Sequence, residues 1–232
     1  MPKITTVGQL DHLINMGGGI TDHSVLSPEM KRLIDLYASG TTAMQQSNLG
    51  EAVRIYRYIV STWPNFVAAR VNLANCLIFV GEPQEALQQL KQAHSVAPCD
   101  PDIHLAAGRA YESIGDKQKE LQQYQEALQD YPHSVDAMNS LGATYREVGQ
   151  LQMAEQWLLR ALKEVESQDR FGAPMGWKHP GRLPVLYNLA LTYQDAGDWR
   201  RAVECWQECV YLDPNNPQLR QSLRHAEINA QR

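Results

Sequence analysis

The chain has 232 residues, 44% of them hydrophobic, enough apolar material for one large domain or two small ones, which excludes a disordered tail. A formal net charge of -5 and a pI near 5.8 leave no basic field for a phosphate backbone, so no nucleic-acid partner is expected. No run of eighteen apolar residues occurs and the start, MPKITTVGQL, lacks the apolar segment of a secretory signal; a soluble, cytoplasmic protein without membrane insertion is expected.

In chain order, residues 1–32 read as a leader. VGQLDHLINM has the spacing of a short helix, Gly17, Gly18 and Gly19 break it, and Ser27 followed by Pro28 reads as the N-cap and first position of the next helix. The triple glycine is either a hinge, letting the first helix fold back onto the repeats or onto a second subunit, or the flexible end of that helix.

From residue 33 a period governs the sequence. Pro64, Pro98 and Pro132 are 34 residues apart, and Pro214 follows after 82, which is two periods and fourteen residues. Gly81, Gly115 and Gly149 keep the step of 34 before Gly197 arrives 48 later, and Tyr111, Tyr145 and Tyr193 step by 34 and 48. Ala52, Ala86, Ala154 and Ala202 fit the same rhythm. The unit is legible in 101–134: IHLAAGRAYESIG has helical spacing and stops at Gly115, and KELQQYQEALQDY stops before Pro132. Small residues at Gly108, Gly142, Ala74 and Ala190 let paired helices approach, with Tyr111, Tyr124, Tyr145, Tyr193 and Trp206 as the large counterparts.

The irregularity falls at 169–182, DRFGAPMGWKHPGR, after Glu166 stands where the stop proline belongs. The second helix of that unit is expected to run past its usual end, before Gly172 and Pro174 break it. Phe171, Met175 and Trp177 then either plug the seam between units or form part of a partner site. The end, PQLRQSLRHAEINAQR, is polar on one face, as a capping helix must be.

Cys76, Cys99, Cys205 and Cys209 contain no CxxC pair, and Cys205 and Cys209, four apart on one helix face, have no histidine at ligand spacing; they read as reduced packing residues, with no metal. His12, His23, His94, His104, His133, His179 and His225 are scattered. Neither GxSxG, GxxxxGK[ST], HExxH nor a dinucleotide fingerprint is present, and Asp100, Asp102, Asp195 and Asp198 fall at unit junctions as capping residues. No catalysis and no cofactor are expected.

This pattern of small residue, Gly, Tyr, Ala, aromatic, Ala and Pro at fixed places in 34 resembles the tetratricopeptide repeat. The resemblance implies an all-α fold, an α-α superhelix of five helix-turn-helix repeats at 33–66, 67–100, 101–134, 135–168 and 183–216, with 169–182 inserted and 217–232 as a capping helix. Departures are Ala43 in the tyrosine place, Glu120 in the alanine place and Glu166 in the proline place. It also implies a protein or peptide partner in a concave groove lined by the first helix of each pair. The corresponding slots hold Ile34, Tyr37, Thr41 and Met44; Val71, Asn75, Ile78 and Phe79; Leu105, Arg109 and Glu112; Asn139, Ala143, Arg146 and Glu147; Tyr187, Leu191 and Gln194. Asn72, Asn75, Asn139 and Asn188 are suited to bonding a peptide backbone.

Relatives that capture the acidic tail of heat-shock chaperones need a Lys and Asn, then an Asn, then a Lys and Arg. Here those places read Tyr37 and Thr41, Val71 and Asn75, or Leu105 and Arg109, and later Asp102 and Ala106, or Asp136 and Ser140, so that clamp is not formed. Two functions follow: a scaffold that bridges members of a complex, with self-association through its ends left open, or a dedicated chaperone. The second rests on NMGGGI and SPEMKRLIDLYASGTTAMQQSNLGEA, which resemble the start of type III secretion translocator chaperones.

Overall fold

The computed structural model describes residues 27–170 and 180–231. The leader helix, the triple glycine and the side chains Phe171, Met175 and Trp177 lie outside those residues. Among the described residues there are eleven α-helices and no strand, and the chain divides into two compact units that meet in sequence between Asp116 and Lys117.

The first unit contains α1 (Pro28–Gln45), α2 (Leu49–Thr62), α3 (Val67–Phe79), α4 (Pro83–Val96) and α5 (Pro101–Ile114). Side-chain caps start three of them: Ser27 accepts from the Met30 amide at 3.2 Å, Asn48 from Glu51 at 3.4 Å and Asp100 from Asp102 at 3.0 Å. Each cap satisfies an amide that the first helical turn leaves without a partner. Proline opens α1, α4 and α5, where its missing N–H costs nothing. At the other end of α5, Gly115 has φ 83 and its amide bonds back to the helix, the left-handed stop expected from the sequence. Leu33, Tyr56, Ile59, Phe66, Leu73 and Leu77 are fully buried and knit α1, α2 and α3 into one core. Ala43, standing in the tyrosine place, is itself in that core.

The second unit contains α6 (Lys117–Asp130), α7 (Val135–Glu147), α8 (Leu151–Arg170), α9 (Arg182–Asp195), α10 (Trp199–Leu212) and α11 (Pro217–Ala230). Ser134, Asp198 and Asn216 supply its side-chain caps. Gly142 is the close crossing of α7 on α8: a Cβ built there would sit 2.6 Å from Leu158 Cγ, inside any real contact. Trp206 and Tyr124 fill the opposite role as the large, fully buried counterparts.

Two departures from the repeat pattern acquire physical explanations. Glu120, in the alanine place, is buried, but its carboxylate accepts from Thr144 Oγ1 at 2.5 Å and from Lys117 Nζ at 2.8 Å, and the same ammonium reaches Glu147. A buried carboxylate is tolerated only with such partners. Glu166 lets α8 run on for twenty residues, and Val165 in the added turns is fully buried. At the last residue of the insertion, Arg182 pairs with Glu208 of α10 and lies 4.0 Å from Glu166 of α8, so one guanidinium ties the start of α9 to both neighbours.

Candidate functional site

Five of the residues chosen from the sequence converge in the first unit. Asn75, Ile78 and Phe79 of α3 face Arg109, Glu112 and Ser113 of α5 across an open groove of about 510 Å³. The pairs 75/109, 78/112 and 79/113 are each separated by 34 residues, so the groove is made by the same three slots of two successive units. Phe79 is 74% exposed and lies beside Ile78 in the groove. Val80 and Ile114, next to the groove residues in sequence, are also exposed. Among the described residues neither the Asn75 amide nor the Arg109 guanidinium has a side-chain partner; the Arg109 carbonyl accepts from Ser113 Oγ at 3.2 Å. Ser113 is the groove residue that slot-by-slot reading passed over, although its position four after Arg109 on the same helix placed it on that face.

The other candidates of this unit serve the interior. Val71 and Leu105 are 8% and 7% exposed, and Val71 belongs to the core that joins α3 to α2. Asn72 donates to Tyr37 Oη at 2.9 Å and to Tyr56 Oη at 3.2 Å, and Tyr56 is in turn bonded to Thr41. Tyr37 meets Phe66 at a tilt, with ring centroids 5.2 Å apart, and meets Tyr56 edge-on. Asn72 and Tyr37 therefore hold α1, α2 and α3 together, with their polar atoms bonded to one another.

In the second unit the candidates meet, but they meet each other. Asn188 Nδ2 donates to Asn139 Oδ1 at 2.9 Å, which joins α9 to α7. Arg146 Nη1 donates to Asp195 Oδ2 at 3.0 Å across the same pair, while its buried Nε–H has no acceptor among the described residues. Tyr187, 42% exposed, lies edge-on to Trp206 at 5.1 Å. Leu191 is half-buried. Asp195, read from the sequence as a capping residue, is the partner of Arg146. Behind this face Arg201 lies 4.2 Å above the Tyr193 ring and pairs with Asp198 and Glu155, and Tyr193 Oη donates to Glu155 at 3.2 Å.

Three of the four cysteines are buried packing residues, as read from the sequence, whereas Cys99 is exposed and is not one. Burial holds the Cys76 thiol up at about 11 and those of Cys205 and Cys209 at about 12, so they are neutral and unreactive at physiological pH. Among the described residues no group of three metal-ligating side chains gathers.

Tetratricopeptide-repeat family models match residues 43–90, 77–135, 123–156 and 184–216. The chain carries tetratricopeptide repeats. No curated protein matches it. Among solved structures it is similar to a thermophilic TPR protein of Thermus thermophilus, at 16% identity and a TM-score of 0.70, over 84% of this chain and 99% of that one. A tetratricopeptide repeat protein from Parabacteroides merdae aligns over 86% of this chain and 74% of its own, at 16% identity and a TM-score of 0.61. YrrB, described as a TPR protein with an unusual peptide-binding site, aligns over 84% and 91% at 15% identity and a TM-score of 0.55. Likeness at these identities establishes the fold, the all-α class of the α-α superhelix. Tetratricopeptide repeats are in general modules for holding proteins, and no helix among the described residues is long and apolar enough to cross a membrane.

Proposed function

We propose that this tetratricopeptide-repeat chain is a scaffold or adaptor that holds an extended segment of a partner protein in the groove between α3 and α5. The observation that carries the reading is the meeting of exposed Phe79 with the side chains of Asn75 and Arg109, which have no partner among the described residues, around one open groove. An aromatic anchor beside polar groups that water alone satisfies is the composition of a protein-binding surface. The chaperone alternative rests on the sequence resemblance of the N-terminal part alone. Affinity capture from the native cell with wild type and with Phe79→Glu, followed by mass spectrometry, tests the reading. Partners held by the wild type are expected to be lost from the variant, whose fold circular dichroism checks; retention of every partner by folded Phe79→Glu would move the interface elsewhere.

A further inference from the structure

The charge and shape of the groove narrow the kind of segment that fits it. Ile78 and the exposed Phe79 form an apolar shelf on α3, and Arg109 faces them from α5 with no carboxylate partner among the described residues. Two other arginines of this unit are committed to carboxylates, Arg57 to Glu82 and Glu85 and Arg54 to Glu51, whereas Arg109 is not. Asn75 occupies on α3 the slot that Arg109 occupies on α5, and its amide is likewise unused. Glu112 is in the groove one turn beyond Arg109.

We propose that the groove selects an extended acidic segment of another protein, in which a large apolar side chain sits within about three residues of an Asp or Glu. The apolar side chain rests on Phe79 and Ile78, the carboxylate pairs with Arg109 in the two-pronged geometry a guanidinium favours, and Asn75 bonds the backbone between them. This rests on the groove being a binding site at all, and the experiment separates the two claims.

A phage library of random twelve-residue peptides is panned on the full chain, on Phe79→Ala and on Arg109→Glu, each checked for fold by circular dichroism. Wild type is expected to enrich peptides with Asp or Glu close to Phe, Leu, Ile or Trp. Phe79→Ala loses them. Arg109→Glu weakens them by roughly tenfold and itself enriches Lys or Arg at the acid's place. Binding of the enriched peptide weakens with added salt. Peptides that depend on Phe79 but show no acidic preference, or an unchanged preference on Arg109→Glu, overturn the acidic segment and leave the groove as a site. No Phe79-dependent peptide overturns both. Self-association of the wild type that Arg109→Glu abolishes makes the occupant a second copy of this chain, which also overturns the proposal.

Discussion

The polar residues on the first helices of the repeats are used differently in the two units. In the first unit Asn75 and Arg109 have no side-chain partners among the described residues, beside an exposed Phe79. In the second, Asn139 and Asn188 are bonded to each other, Arg146 is held by Asp195, and Tyr187 leans on Trp206. A polar residue in a groove slot thus either knits successive helices or stays open to a ligand, and a carboxylate or amide within reach on the facing helix decides which. On the function proposed above, the first unit binds and the face of the second is structural.

If that contrast is right, substitutions in the second unit should cost stability and those in the groove should not. Trp206→Ala removes a fully buried ring and the support of Tyr187, and it is expected to destabilise by about 3–5 kcal/mol in urea unfolding. A cost under about 1 kcal/mol would mean that the site collapses to fill the space and that Tyr187 is not held there.

Next in size is the response to alkali. Burial raises the Cys205, Cys209 and Tyr193 side chains to about 12 in the second unit, against Cys76 at about 11 and a smaller upward shift of Tyr56 in the first. Each group is kept neutral in the fold and ionises more readily once unfolded, so its contribution is complete below the ordinary values of 9.0 and 10.0 and is lost as pH climbs through 11 to 12. The urea midpoint should fall steadily above pH 9, with amide exchange accelerating first in the second unit; a flat midpoint to pH 11 would show that these groups are not buried as described.

How far this contrast was legible in advance depends on range. The 34-residue period, the Gly115 stop and the Ser27, Asp100 and Asp198 caps are local, and each lies within a few residues of its partner. Slot membership was legible too, since Asn75, Ile78, Phe79, Arg109 and Glu112 do share one groove. What the spacing left hidden was occupancy. Asp195 lies 49 residues from Arg146 and Asn188 lies 49 from Asn139, on the far side of a fourteen-residue insertion. Val71 and Leu105 were chosen for apolar character on the expected face, yet that same character buried them, so replacing either with Glu would test folding and not binding. Asn72 was misjudged for a related reason: Tyr37 and Tyr56 reach it from two other helices.

The smallest expected effect sharpens the comparison most cleanly. Asn139→Ala leaves Asn188 without its acceptor and should cost about 1 kcal/mol, whereas Asn75→Ala should change stability by less than about 0.5 kcal/mol. Equal costs in chemical denaturation would erase the distinction between a knitted face and an open one.

The central claim, that the first unit binds and the second supports, meets its most direct test in one titration. A labelled peptide carrying a large apolar residue next to a Glu, selected on the full chain, is followed by fluorescence anisotropy against wild type, Phe79→Ala and Tyr187→Ala. Binding should fall by roughly tenfold or more with Phe79→Ala and stay within about twofold of wild type with Tyr187→Ala. Loss of binding with Tyr187→Ala while Phe79→Ala binds as well as wild type would contradict the account.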